Sequence, residues 1–283
     1  MNIRTAFLSA AALALTACGG QSVLPDTLPP LKTALDCMPE KGAIIAAHRG
    51  VSRDWREAEN SISALEKLIK ENYLIAEIDV ARLRDGTYIT FHDGVWDEIS
   101  TGKGPIASTT KDDLEKILLK SRRGALTSDR PPRFETMLET AKHKIYLEID
   151  FKSSSNMGEI IELIRSADMG DYVLLIAYSG GQAKRLRNLA PDMLISAPQN
   201  SAKKGELIWL GKDIKDSRRI AAINKSGQYA IGRVGKALDE RDVKTAKLNA
   251  DILVTDYPNQ YLPLTGLNRK EQQAFAACLK KDI

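Results

Sequence analysis

The chain has 283 residues, of which 43% are hydrophobic and 28% are charged, a composition typical of a globular protein. The net charge is only +4, and no basic stripe with interleaved aromatic residues is present, which argues against a nucleic-acid-binding protein. Basic pairs such as Arg122-Arg123 are scattered along the chain and are expected to be solvated surface residues.

Residues 1–17 predict a secretory signal that is not part of the fold. Arg4 precedes a short apolar run that ends in small residues and is too short to span a bilayer. The sequence LTAC at 15–18 resembles the lipobox of bacterial lipoproteins, in which Cys18 is lipidated and becomes the first residue. An ordinary signal peptide followed by an unmodified cysteine is the alternative. Because Gly19 follows the cysteine, the resemblance favours the bacterial envelope, at the periplasmic face of the outer membrane.

Residues 18–41 are expected to form an extended tether, because their prolines, glycines and serine do not favour a packed element. The main domain then covers residues 42–283. Cys37 lies just before its first strand and Cys278 lies near its end. In an oxidising compartment these two cysteines could form a disulfide if the fold brings the chain ends together, and two free thiols are the alternative.

From residue 43 onwards, short apolar runs alternate with amphipathic segments. Strands are predicted at 43–47, 74–80, 87–91, 144–151, 172–178, 193–197, 207–210, 229–233 and 251–254. Helices are predicted at 61–71, 110–120, 134–142, 157–168, 180–190, 214–225 and 239–249. This alternation predicts parallel strands covered by helices, and it fits an α/β fold of the (β/α)₈ TIM barrel type. One strand is surplus, and 207–210 is the weakest prediction of the nine.

Polar residues lie at several predicted strand ends, which a barrel would gather at one rim. His48 and Arg49 follow the first strand, and His92 follows the third. Glu77 and Asp79 are two residues apart, so they share one face of the second strand. The same spacing puts Glu148, Asp150 and Lys152 on one face of the fourth strand, and the last strand ends in Thr255-Asp256. His143 has no such neighbours and is expected at the surface.

The residue types at this rim suggest phosphodiester chemistry. Carboxylates without a nearby cysteine suit Ca²⁺ or Mg²⁺ rather than zinc or copper. Two histidines can act as a general base and a general acid. Arg49 and Lys152 supply positive charge for an anionic phosphate, and arginine can hold it through two hydrogen bonds.

The chain resembles the glycerophosphodiester phosphodiesterase family from about Ile44 to Pro258. The resemblance depends on an ordered set of motifs: HRG at 48–50, ENS at 59–61, EID at 77–79, RDG at 84–86 and HD at 92–93. It implies a TIM barrel with a small insertion after the HD strand, at about residues 93–110. It also implies hydrolysis of glycerophosphodiesters to an alcohol and glycerol 3-phosphate through a cyclic phosphate.

The resemblance also implies roles for individual residues. His48 and His92 would exchange the roles of base and acid, with His92 as the first acid. Arg49 and Lys152 would bind phosphate oxygens. One divalent cation, Ca²⁺ or Mg²⁺, would be held by Glu77, Asp79 and an acid of the fourth strand, with Asp150 preferred and Glu148 as second choice. The expected partners are a small-molecule phosphodiester and a membrane contacted through the lipid anchor, with no nucleic acid and no obligate protein partner.

The chain departs from the family pattern at several positions. Ala58 replaces a proline, Glu98 stands where an arginine is expected, and the sequence YAIGRVG lacks the tryptophan that often ends the seventh strand. Arg233 is the residue that could take the place of that tryptophan. Two other functions remain alternatives: a phospholipase acting on lyso- or phosphoinositide lipids, and a non-catalytic surface lipoprotein that binds phosphoesters.

Overall fold

The computed structural model describes residues 24–39, 42–212, 216–234 and 250–282. The strands in this part of the chain are β1 (Ala43–Ala47), β2 (Ile75–Arg82), β3 (Tyr88–Thr90), β4 (Tyr146–Phe151), β5 (Val173–Ile176), β6 (Leu194–Pro198), β7 (Leu207–Trp209), β8 (Tyr229–Val234), β9 (Ile252–Thr255) and β10 (Leu264–Thr265). All except β3 and β10 run parallel, and β1 pairs with both β2 and β9 to close the ring. The predicted TIM barrel is confirmed.

Helices surround this barrel and cover its amino-terminal end. Within the described ranges they are α1 (Leu31–Asp36), α2 (Ile62–Lys70), α3 (Phe134–Ala141), α4 (Met157–Ser166), α5 (Gly180–Leu189), α6 (Ser217–Lys225) and α7 (Arg269–Leu279). None of them is long and apolar enough to cross a bilayer. The predicted helix at 239–249 lies outside the described residues.

The surplus strand is 87–91, not 207–210. Segment 87–91 contains β3, which pairs antiparallel with β2, whereas β7 pairs in parallel with both β6 and β8. The link between β2 and β3 covers only residues 83–87, which is long enough for a hairpin and too short for the crossover that a parallel strand requires. The interpretation of 87–91 as a barrel strand was therefore wrong.

The insertion after β3 is larger than expected and extends from residue 91 to residue 133. Trp96, Ile106 and Leu114 are buried in a small core of their own, and bridges such as Val95 with Pro105 tie the segment together. Thr110 caps a turn of 3₁₀ helix over Lys111–Lys116, but the chain is extended at Ile117. The helix predicted at 110–120 is therefore wrong, because its apolar residues fill this local core.

Residues 28–38 pack against the barrel and do not form an extended tether. Leu31 is fully buried, and Leu28 N–H donates to the carbonyl of His143, at the amino-terminal end of β4. Cys37 and Cys278 form a disulfide that joins this segment to α7. The apolar spacing of Leu28, Leu31 and Leu35 explains the packing, because the barrel interior is open to water at this end until something covers it.

The inward-facing side chains change character along the barrel axis. Near the amino-terminal end they are apolar, as in Ile44, Leu174, Leu207 and Ile252, and they pack against the segment containing α1. Towards the carboxyl ends of the strands they become ionisable. The apolar end therefore contributes to the packed core, and the ionisable side chains lie at the end where the loops after the strands meet.

Candidate active site

A cavity of about 550 Å³ opens at the carboxyl ends of the barrel strands. The residues predicted from the sequence as catalytic, phosphate-binding or metal-binding all line it: His48, Arg49, Glu77, Asp79, His92, Glu148, Asp150 and Lys152. It is also lined by Asp256, which was expected at the rim, and by Arg233, the expected replacement for the family's tryptophan. Further lining residues were not assigned to the site from the sequence, among them Arg53, Arg122, Tyr178 and Trp209. Residues separated by more than 200 positions in the chain therefore meet in one cavity.

His48 is oriented by a carboxylate from the last barrel strand. Its Nδ1 lies 2.7 Å from Asp256 Oδ1, and its Nε2 lies 3.9 Å from Glu77 Oε2. An ionised Asp256 accepts the Nδ1 proton, so Nε2 is left as the hydrogen-bond acceptor that faces the cavity. Burial lowers the pKa of His48, and although Asp256 opposes this shift, the nearby Arg233 adds to it. The neutral imidazole that a general base requires is therefore favoured.

Asp256 is kept ionised by the groups around it. Arg122 Nη1 lies 2.7 Å from Oδ1, and Arg233 Nη2 lies 2.9 Å from Oδ2. Burial opposes ionisation, but the hydrogen bond from His48 and the charges of His48 and the arginines outweigh it and hold the pKa of Asp256 well below its usual range. This carboxylate can therefore orient His48 without taking up its proton.

Arg49 is placed by a sharp turn immediately after β1. Its backbone is in the left-handed region, with φ of 57°, and its N–H donates to Glu77 Oε2 at 2.7 Å. The guanidinium donates from Nη1 to Glu59 Oε1 at 2.7 Å, while Nε is buried and has no partner among the described residues. A buried donor without a partner is costly, so this nitrogen is suited to an oxygen of a bound phosphate.

The ENS motif positions the loop beside β2. Ser61 caps α2 by accepting from the N–H of Ala64, which fixes the two preceding residues at the rim. Asn60 Nδ2 donates to Asp79 Oδ2 at 2.8 Å, and Asp79 N–H donates to Asn60 Oδ1 at 3.0 Å. Burial opposes ionisation of Asp79, but Lys152, His92 and the hydrogen bond from Asn60 together outweigh it and lower the pKa of that carboxyl.

Four carboxylates face one another across β2 and β4. Glu77 is in register with Glu148, and Asp79 with Asp150. Oxygens of Glu77, Asp79 and Asp150 all lie within 4.8 Å of one another. Burial and the neighbouring Asp79 raise the pKa of Glu77 well above its usual value, and burial together with Asp150 raises that of Glu148 to about 8.

The oxygen ligands of this group fit a divalent cation. Asp150 Oδ1 and Glu148 Oε2 are buried without a hydrogen-bond partner among the described residues. Lys152 Nζ, at 2.9 Å from Asp79 and 3.0 Å from Asp150, balances only part of the negative charge. Buried carboxylates in such a group require compensation, and hard oxygen donors are the ligands of Ca²⁺ and Mg²⁺.

His92 reaches the cavity by a route that the sequence did not predict. Because β3 runs antiparallel to β2, the chain turns back towards the barrel, and Phe91 N–H donates to the carbonyl of Asp79 at 2.9 Å. His92 is therefore delivered beside Asp79 from a hairpin and not from a barrel strand. Its Nδ1 lies 2.6 Å from Asp93 Oδ1, which leaves Nε2 on the other side of the ring.

Arg122 is a site residue that sequence reasoning assigned to the solvated surface. Its side chain is only 12% exposed, with Nε 3.1 Å from Glu59 Oε2. It belongs to the large insertion, and its partners lie far away in the chain, so local patterns could not identify it. The ENS motif did contain Glu59, a buried acid that requires a cationic partner.

Two aromatic residues complete the cavity wall. Tyr178, which follows β5, donates from its hydroxyl to Asp150 Oδ2 at 2.9 Å. Trp209 ends β7 and lines the cavity, one strand before the position at which the resemblance expects a tryptophan. The cavity wall therefore contains an indole ring, but from β7, the strand whose prediction from the sequence was the weakest. Arg233 lies near the end of β8, where the family's tryptophan was expected.

Comparisons with known proteins agree with this geometry. The family model described as the glycerophosphoryl diester phosphodiesterase family matches residues 48–259. The Bacillus subtilis protein YhdW, named as a candidate glycerophosphodiester phosphodiesterase, is 29% identical over 237 residues, which cover 76% of this chain and 95% of that protein.

Similar solved structures share the fold. A glycerophosphoryl diester phosphodiesterase from Parabacteroides distasonis has a TM-score of 0.72 at 19% identity, covering 89% of this chain and 94% of that one. A phosphodiesterase from Oleispira antarctica, solved in complex with the product sn-glycerol-3-phosphate, has a TM-score of 0.59 at 18% identity, covering 85% and 98%.

Proposed function

We propose that this chain, which belongs to the glycerophosphoryl diester phosphodiesterase family, hydrolyses glycerophosphodiesters to an alcohol and glycerol 3-phosphate. The observation that carries the proposal is the cavity in which His48, His92 and three carboxylates lie beside Arg49 and Lys152. The Oleispira antarctica phosphodiesterase, a structural neighbour, is described with sn-glycerol-3-phosphate as its product, which is the product proposed here.

In the first step, a hydroxyl of the substrate's glycerol attacks phosphorus and displaces the alcohol. His48 Nε2 accepts the hydroxyl proton, for which its neutral form is suited, while Asp256 stabilises the resulting imidazolium through Nδ1. His92 protonates the leaving oxygen, so one P–O bond forms as another breaks. Asp93 Oδ1 lies 2.6 Å from His92 Nδ1 and so orients the imidazole, which leaves Nε2 as the atom that transfers the proton.

In the second step, water opens the cyclic phosphate and the histidines reverse their roles. His92 takes a proton from water, and His48 returns its proton to the ring oxygen that leaves. The buried Nε of Arg49 and the ammonium of Lys152 bind phosphate oxygens and keep phosphorus between the two imidazoles. Both histidines end in their starting protonation states.

A divalent cation, Ca²⁺ or Mg²⁺, would be held by Glu77, Asp79 and Asp150. When bound, such an ion supplies positive charge that stabilises the developing negative charge on phosphoryl oxygens. Asp150 is the preferred ligand of β4 because it offers an oxygen within 4.8 Å of those of Glu77 and Asp79, a group that does not include Glu148.

The test is turnover of a panel of glycerophosphodiesters, measured as release of glycerol 3-phosphate with and without Ca²⁺, Mg²⁺ or a chelator. We expect cation-dependent release, a loss of at least about 100-fold in kcat for His92→Ala, and a wild-type rate for the matched control His143→Ala. His143 lies outside the cavity. Tight binding of the diesters without turnover under any condition would instead identify a non-catalytic binding protein.

We further propose that Cys18 carries a lipid that anchors the enzyme to the bacterial envelope, on the sequence of residues 15–18. The full-length chain produced in a bacterium should partition into the detergent phase of a Triton X-114 extraction, whereas Cys18→Ala should stay in the aqueous phase. Equal partitioning of the two proteins would exclude lipidation at this cysteine.

A further inference from the structure

A second, smaller cavity adjoins the active site and is predominantly basic. Its volume is about 170 Å³, and it is lined by Arg53, Asp54, Arg122, Arg123 and Tyr257. Arg53 and Arg122 line the active-site cavity as well, so the two spaces share a wall. We call the small cavity the basic pocket.

The arginines of the basic pocket have N–H donors that no described residue accepts. Among the described residues, the guanidinium groups of Arg53 and Arg123 make no hydrogen bond or ion pair closer than 4.0 Å, unlike those of Arg49, Arg122 and Arg233. Arg122 uses Nε for Glu59 and Nη1 for Asp256, which leaves its Nη2 for another acceptor. Three guanidinium groups with spare donors therefore surround one small space.

The one acid of the basic pocket is held by other groups. Asp54 Oδ1 accepts a hydrogen bond from Ser52 at 2.5 Å, and Oδ2 accepts one from Asn259 at 2.9 Å. It lies near Arg123 but forms no ion pair with it in the described structure. Counting the described residues alone, the pocket therefore keeps a net positive charge.

The position of Arg53 is fixed by the backbone. Its N–H donates to the carbonyl of Asp256 at 2.8 Å, and Val51 and Trp55 on either side of it are buried. The loop is thus attached to the end of β9, next to the carboxylate that orients His48. The Arg53 side chain itself is exposed, so this support fixes the point from which the side chain extends and lowers only part of the entropic cost of binding a ligand.

We propose that the basic pocket binds a second anionic group of the substrate, carried on the alcohol that is released. This inference rests on the proposed hydrolysis of glycerophosphodiesters and names the substrate class: diesters whose alcohol bears a phosphate or a carboxylate. Arginine suits either group, because its planar set of donors matches two oxygens at once. The phosphodiester that is cleaved lies between the two histidines. The second anion lies in the basic pocket, which adjoins the active site at Arg53 and Arg122.

The test uses pairs of substrates that differ by a single anionic group. Glycerophosphoinositol 4-phosphate is compared with glycerophosphoinositol, and glycerophosphoserine with glycerophosphoethanolamine. The first pair tests for a phosphate and the second for a carboxylate. We expect kcat/KM to be about tenfold higher for the more anionic member of at least one pair, as for a charge-assisted hydrogen bond.

Removing the arginines should remove the preference. In Arg53→Gln/Arg123→Gln the ratio of kcat/KM within the responsive pair should fall to about one, mainly through KM, since the contact forms before and during the reaction. The control Arg56→Gln/Arg218→Gln removes the same charge from exposed residues that line neither cavity, and should keep the wild-type ratio. This control separates local binding from the general attraction of a less negative protein surface.

The measured rates distinguish failure of the basic pocket from failure of the proposed hydrolysis. Turnover of all four diesters without an anionic preference, or with a preference unchanged by Arg53→Gln/Arg123→Gln, overturns the basic pocket and leaves the hydrolysis intact. Absence of all turnover overturns the hydrolysis. The pocket is then decided by calorimetric titration of the same pairs into wild-type and Arg53→Gln/Arg123→Gln protein, where equal dissociation constants within each pair overturn it.

A preference for glycerophosphoethanolamine over glycerophosphoserine in the wild-type enzyme, together with no effect of the phosphate in the other pair, would also overturn the proposal. That pattern would place the alcohol against Tyr178 and Trp209, which line the active-site cavity but not the basic pocket. An ammonium group would be attracted there by the aromatic faces.

Discussion

The two halves of the barrel mouth differ in how their buried charges are balanced. The acid half consists of Glu77, Asp79, Glu148 and Asp150 on β2 and β4, with Lys152 as their cationic neighbour. The arginine half consists of Arg49, Arg122 and Arg233, which pair with Glu59 and Asp256. In the arginine half each carboxylate oxygen has a charged partner, whereas Glu148 Oε2 and Asp150 Oδ1 of the acid half are buried without a hydrogen-bond partner in the described part of the chain.

This difference separates a framework from a binding site. A network in which each carboxylate oxygen has a charged partner stabilises one arrangement of loops, and it holds His48 and Arg49 in place. A group of buried carboxylates that is incomplete destabilises the protein until a cation arrives. The buried charge of the acid half therefore carries an energetic cost that a bound cation would offset. The following predictions test this contrast between the two halves.

The largest effect is expected from a ligand of the acid half. Glu77→Gln replaces a charged oxygen ligand by an amide of the same shape. We expect kcat to fall about 1000-fold, because the positive charge that stabilises the reacting phosphate is held less well. Calorimetric titration of Ca²⁺ or Mg²⁺ should show the loss of binding directly. Wild-type cation affinity in this variant would remove Glu77 from the metal site.

Glu59→Gln, the matching substitution in the arginine half, should lower the stability of the folded protein. Glu59 and Glu77 are 3% and 4% exposed, so the two changes are matched in chemistry and burial. Glu59→Gln leaves the guanidinium groups of Arg49 and Arg122 without their carboxylate, and we expect it to lower the free energy of unfolding by about 3 kcal/mol. Urea denaturation in the presence of a chelator measures this change.

Glu77→Gln should not lower the free energy of unfolding in chelator, since it removes a carboxylate that is repelled by Asp79 and Glu148. The contrast between the halves is wrong if the two variants lose equal stability, or if Glu77→Gln loses more.

Cation binding should stabilise the wild-type protein. With Ca²⁺ or Mg²⁺ at 100 times its dissociation constant, the gain corresponds to about 2.7 kcal/mol, or roughly 5 °C or more in Tm for a chain of this length. Differential scanning fluorimetry should show this shift in wild-type protein and in Glu59→Gln, but not in Glu77→Gln. An equal shift in all three proteins would place the ion elsewhere.

The smallest effect is a difference in pH dependence. In the folded protein the pKa of Glu148 is raised from 4.5 to about 8 by burial and by Asp150. The folded state thus holds this proton more tightly, so the stability that it contributes is complete below about pH 4.5 and is lost as the pH rises towards 8. The pKa of Asp256 is shifted downwards, so its contribution is present above pH 3.8 and is lost as the pH falls.

Urea titrations of the metal-free protein across this range should therefore show stability declining from pH 5 to pH 8, with a smaller decline in Glu148→Gln. A decline of equal size in both proteins would show that Glu148 is already ionised in the folded state.

The sequence predicted the barrel because apolar runs and amphipathic segments reflect which faces are buried. It located β1 without error and β4 to within two residues. It did not predict the direction of β3, since an apolar run of five residues looks the same in a parallel or an antiparallel strand. The short link after β2 was the available signal, because only a hairpin fits it.

At the site, too, the sequence revealed what a local pattern defines and missed what depends on distant partners. Glu77, Asp79 and Asp150 were found because a spacing of two residues defines a common face. Arg122 was missed because its partner Asp256 is 134 positions away, and a pair of arginines in isolation is typical of a solvated surface. Long-range pairing of charges is decided by the fold, and the local pattern does not contain it.

The covered end of the barrel has a consequence for how an anchored enzyme would meet its substrate. Residues 24–30 lie against the end opposite the cavity, where Leu28 is buried and its N–H donates to the carbonyl of His143, and the disulfide of Cys37 fixes the segment that follows. If Cys18 carries a lipid, the link to residue 24 spans at most about 20 Å, so the barrel stands on its closed base with the opening turned towards the aqueous phase. Release of diacylglycerol from the supporting membrane would contradict this orientation. Such an enzyme would hydrolyse glycerophosphodiesters that have already been released from lipids, and it would not hydrolyse the phospholipids of the membrane that anchors it.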